Sequence, residues 1–81
     1  MGEETAIFSI SEDKDKVIRE TLTEVYAALQ EKGYNPVNQL VGYILSEDPT
    51  YITTYNGARS KIRRIDRDDV LATLLQHYLD L

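Results

Sequence analysis

Residues 26–45 read YAALQEKGYNPVNQLVGYIL, and the four at their centre, Gly33-Tyr34-Asn35-Pro36, decide the fold. Gly33 offers the left-handed backbone that stops a helix, because it has no Cβ to clash there. Asn35 is a good N-cap, and Pro36 suits the first helical position, where a missing N–H costs nothing. One helix therefore ends and another begins within about three residues, which forces a tight helical hairpin. Upstream, Ile18, Leu22, Val25 and Leu29 step by four, three and four residues and lay an apolar stripe along a first helix. Asp15 at its start and Lys32 at its end suit the helix dipole, so it is expected over about 15–32. Downstream, Val37, Leu40, Val41, Ile44 and Leu45 recur at three and four and predict a second helix over about 36–46.

Working outward, Ser46-Glu47-Asp48-Pro49 closes this unit and can cap a single short turn, and Thr50–Gly57 reads as a loop ending at Asn56-Gly57. Ala58, Ile62 and Ile65 predict a third helix. Asp66 followed by Asp69 resembles a capping box with Asp in the place of the usual Glu. A fourth helix is expected from about 67 to 80, carrying Val70, Leu71, Leu74, Leu75, Tyr78 and Leu79 inward. Residues 1–14 are read as a flexible arm in which Ala6, Phe8 and Ile10 alternate as a short strand would. The expectation is thus an all-α fold of about four helices over 15–81, preceded by that arm.

The chain has 81 residues, 9 Lys plus Arg, 14 Asp plus Glu, a formal charge of −5 and no Cys or Trp. A domain of this size buries only roughly 60 % of the surface its unfolded chain exposes, so its core needs reinforcement. Disulfides are excluded by composition, and a zinc site is disfavoured by a single His and no thiol. Association with a second copy is the remaining staple, and a homodimer is expected. The acidic opening MGEETAIFSISEDKDK resembles neither a signal peptide nor a membrane span, which points to a cytoplasmic protein without membrane insertion.

Charge is distributed unevenly. Residues 57–67 hold five cations and one carboxylate, a +4 island in an acidic chain. Arg59, Lys61, Arg63, Arg64 and Arg67 suit phosphate oxygens or a partner surface, since guanidinium groups match phosphate two bonds at a time. The competing and better-founded reading is that they pair with the protein's own carboxylates. Binding to nucleic acid scales with the phosphates neutralised, and a −5 body opposes it. A helix-turn-helix reading is weak as well, because the second helix offers base edges only Asn38 and Gln39. An accessory protein of nucleic acid acting through the island is therefore the alternative rather than the leading reading.

Catalysis has no constellation behind it. His77, near a helix C-terminus, is read as a protonatable surface group with no nucleophile beside it. Asp66, Asp68 and Asp69 lack the spacing and the glycine of a calcium loop and are explained as helix-start residues. No catalytic, metal or cofactor residue is assigned. Thr5, between Glu4 and Ala6-Ile7-Phe8, is an accessible hydroxyl of the kind a protein kinase draws into extended conformation.

The run YAALQEKGYNPVNQLVGYIL, followed by SEDPTYIT, YNGAR, IRRIDRDDV and LLQHYL, resembles the IreB family, small regulatory proteins of Firmicutes. The resemblance covers essentially the whole chain, and GYNPxNQ is its most specific element. It implies a non-enzymatic cytoplasmic regulator acting with a membrane-anchored PASTA-type Ser/Thr kinase and its cognate phosphatase, in cell-envelope stress and antibiotic tolerance. It also implies a homodimer of helical protomers whose arm carries threonine phosphorylation. The phosphoacceptor matches Thr5. A second threonine found upstream in some relatives has no match here, where Glu3 and Glu4 stand, and Thr53 replaces a common proline. The resemblance names no downstream partner.

Overall fold

The computed structural model describes residues 12–81. Four helices follow one another: α1 (Glu12–Glu31), α2 (Pro36–Ser46), α3 (Ala58–Ile62) and α4 (Arg67–Leu79). Two single 3-10 turns follow α2: Pro49–Tyr51, the short turn expected after Asp48, and Tyr55–Gly57, inside the segment expected to be plain loop. No strand occurs among the described residues. The alternation at Ala6, Phe8 and Ile10 falls outside them, as does Thr5.

The hairpin forms as its residues dictate. Gly33 has φ of +87°, and the Tyr34 N–H donates to the Leu29 carbonyl at 3.0 Å, which closes the end of α1. The Asn35 side chain accepts from the Asn38 N–H at 3.1 Å, with Pro36 opening α2. α1 starts three residues earlier than Asp15, because Glu12, Asp13 and Asp15 together complement its positive end. The boundary drawn at residue 14 therefore falls inside this helix.

α1 is the spine. Its stripe buries Ile18, Val25 and Leu29, with Leu22 half-buried. Val25, Ala28 and Leu29 meet Tyr43 of α2, Ile52 of the connection and Ala58 and Ile62 of α3 in one core. Asp48 accepts from the Thr50 N–H at 3.0 Å and the Thr50 hydroxyl at 2.7 Å, capping the first 3-10 turn as its sequence anticipates. Asn56 and Gly57, both with positive φ, turn the chain into α3.

Two expectations require correction. Asp66 occupies the N-cap of α4, but its side chain makes no capping bond, and Asp69 instead pairs with Lys14 at 3.1 Å. The capping box does not form because α1 supplies a cation to its second carboxylate. The inward face assigned to α4 is also mostly outward: Val70 is buried, whereas Leu71, Leu74, Leu75, Tyr78 and Leu79 are exposed. On α2 the same holds for Val37, Val41 and Leu45. The reason is shape. The molecule measures 48 × 20 × 20 Å with a radius of gyration of 13.6 Å, whereas a compact chain of this size has about 11–12 Å. Among the described residues α4 packs on the flank of α1, through Ile18 and Thr73 and the pairs Lys14–Asp69 and Asp15–His77, and reaches α2 mainly through Arg67 at its first residue.

Candidate functional site

The five cations of the island lie on three different local structures, and that placement separates them. Arg59, in the first turn of α3, donates from Nε to the Ile52 carbonyl at 2.8 Å and fastens the preceding loop. Lys61, one half-turn on, reaches Glu24 of α1 at 3.0 Å. Arg67, the first residue of α4, donates to the Ile44 carbonyl at the end of α2 and pairs with the Glu47 carboxylate. Lys61 and Arg67 thus each meet a carboxylate of the chain itself, whereas Arg59 meets a backbone carbonyl. Such exposed pairs contribute roughly 0.2–1 kcal/mol each, so their value is in position more than in strength.

Arg63 and Arg64 differ. They occupy the turn between α3 and α4, where the chain leaves helical geometry after Ile62. Both are exposed, and neither side chain has an ion pair or hydrogen bond among the described residues. Arg64 lies against the first turns of α1, beside Lys14 and Val17, with Asp66 and Asp69 across the notch. Of the five cations, Arg64 thus lies at the root of α1, Arg63 is exposed on the same turn, and the other three meet groups elsewhere.

A second feature is apolar. Leu22 and Tyr26 of α1, Val37, Val41 and Ile44 of α2 and Leu74 of α4 line a groove of about 410 Å³. Nothing in the chain's charge pattern marks it. Its signal was the excess of apolar positions on α2 and α4 over those a small core can take, and helical periodicity cannot distinguish a face turned inward from one turned to a partner.

Other polar and hairpin residues link the elements to one another. His77 Nε2 lies 2.8 Å from Asp15 Oδ1 on the surface, joining α4 to α1. Tyr55 donates its hydroxyl to Glu31 at 3.0 Å, and that bond together with the Glu31 charge raises the phenol above its ordinary 10.0. Lys32 sits over the Tyr55 ring, 5.2 Å from its centre. Gly33, Asn35 and Pro36 build the hairpin, and Tyr34 between them stays half exposed. Among the described residues no group of three or more His, Cys, Asp or Glu gathers as metal ligands would. None of their helices is long and apolar enough to cross a membrane. The helical hairpin, the charge-bearing turn and the leading segment coincide with a family match spanning residues 3–80 and described as IreB regulatory phosphoprotein, and the chain belongs to that family.

Proposed function

We propose that this protein is a non-enzymatic regulator switched by phosphorylation of Thr5, a cytoplasmic substrate of a membrane-anchored PASTA-type Ser/Thr kinase and its cognate phosphatase in cell-envelope stress and antibiotic-tolerance signalling. The observation that carries this reading is the family match, whose span includes position 5. In the reaction the Thr5 hydroxyl oxygen takes the γ-phosphoryl group of ATP, releasing ADP and a proton. The phosphothreonine adds roughly −1.5 to −2 of charge to a segment that already holds Glu3 and Glu4.

The working form in this reading is a homodimer. Leu71, Leu75, Tyr78 and Leu79 expose an apolar ridge on α4, and Leu74 walls an apolar, open groove together with α1 and α2. A ridge and a groove on the same chain satisfy the demand of a two-fold interface, in which each copy gives what the other receives. A downstream partner then reads the phosphorylated arm.

The test is direct. Incubation with a PASTA-type kinase and ATP is expected to add one phosphoryl group to the wild type by intact mass and none to Thr5→Ala. An unmodified wild-type chain, or equal labelling of Thr5→Ala, overturns the reading.

A further inference from the structure

Resting on the reading of Thr5 as a phosphoacceptor, we infer that the phosphate is received by the chain's own Arg64, in the notch it shares with the first turns of α1. Three observations lead there. Arg63 and Arg64 are the members of the island whose side chains have no partner among the described residues, whereas Arg59, Lys61 and Arg67 are occupied. Arg64 shares its notch with Lys14 and Val17, residues two to five places into α1, which is only about 3–8 Å along the helix axis from its first residue. Thr5 lies seven residues before Glu12, a tether of up to roughly 23 Å when extended. The phosphate therefore reaches Arg64 without strain and without help from a second chain.

The surroundings set the strength. Asp66 and Asp69 face the same notch, and Glu20, Glu24 and Lys61 border Arg64 on its other side. Asp69 is already paired with Lys14. An uncharged Thr5 has no reason to approach this rim, and the acidic residues repel Glu3 and Glu4. A phosphate brings two charges and three acceptor oxygens suited to a guanidinium fork. Docking is thus conditional on modification.

The experiment uses full-length chain carrying phosphothreonine at position 5 installed by chemical ligation, so that it does not depend on which kinase acts. Phosphorus NMR is followed against pH in the wild type and in Arg64→Gln and Lys16→Gln. The phosphate's second ionisation is expected about half a pH unit lower in the wild type than in Arg64→Gln. Lys16→Gln, which removes an exposed cation from the same helix, is expected to match the wild type. Equal midpoints in the wild type and Arg64→Gln overturn the docking while leaving Thr5 a phosphoacceptor. Recovery of the low midpoint when phosphorylated Arg64→Gln is mixed with unphosphorylated wild type would overturn docking on the chain's own arginine.

Discussion

Gly42 stands in the middle of α2, and a Cβ placed on it would come within 2.4 Å of the Tyr51 ring. The Gln39 side chain donates to the Tyr51 carbonyl at 2.9 Å, one turn away, and holds that residue against the helix. Gly42→Ala gains roughly 1 kcal/mol of helix propensity but meets an overpacking cost of roughly 1–3 kcal/mol. We expect a net loss of stability in urea titration, with displaced Tyr51 ring resonances. In a Tyr51→Ala background the same change is expected to stabilise, and a loss in both backgrounds would refute the steric account. Thr73 poses the opposite case: its hydroxyl is buried with no hydrogen-bond partner among the described residues. Thr73→Val is expected to raise stability by about 1 kcal/mol, since it removes an unpaired polar atom and retains the shape. Asn35→Ala should cost about 1 kcal/mol by loss of the α2 cap. Its bond to the Asn38 N–H was evident from the order Gly-Tyr-Asn-Pro alone.

At the scale of elements, the short turn after α2 depends on one ionised group. The Thr50 hydroxyl and N–H hold the Asp48 carboxyl below its ordinary 3.8. A carboxyl lowered in the folded state stabilises fully above its unfolded value, and the benefit disappears as pH falls through the folded one. Asp48→Ala should therefore melt below the wild type at pH 7, with the gap closing as pH drops beneath about 4. A gap unchanged between neutral and acid pH would rule out the ionised cap. The helices were legible because their apolar spacing and their stops agree: Ile18 to Leu29 ends at Gly33, and Asn35-Pro36 opens the next. Arg67 opens α4 where expected. The first turn of α1 was missed by three residues, since Glu12 and Asp13 carry no periodic signal and act only through the dipole. The capping box at Asp66 failed because Lys14, distant in sequence, claims Asp69. No local pattern contains that contact.

For the whole molecule, the exposed leucines set the largest prediction. Leu74 and Leu75 are 44 % and 57 % exposed, so replacing both with Glu should leave the helical circular dichroism of a protomer intact. Sedimentation velocity at micromolar concentration is expected to show a dimer for the wild type and a monomer for the double variant. A monomeric wild type would refute the two-fold assembly. The candidate site was half legible. Charge counting located the basic island, but only folding shows that Arg59, Lys61 and Arg67 are spent on the loop, on α1 and on α2. Arg67 carries a mechanical consequence. One side chain, the first of α4, clasps both the Ile44 carbonyl near the end of α2 and Glu47, whose backbone has the left-handed φ of 61°. It acts as a fulcrum for a helical lever roughly 20 Å long. A tilt of about 10° at that clasp carries the far end, near Leu79, through roughly 3.5 Å, more than two residues' rise along a helix. Because His77 near that far end meets Asp15 of α1 at 2.8 Å, the swing is held from both ends, and Arg67 and His77 together set how α4 presents its leucines.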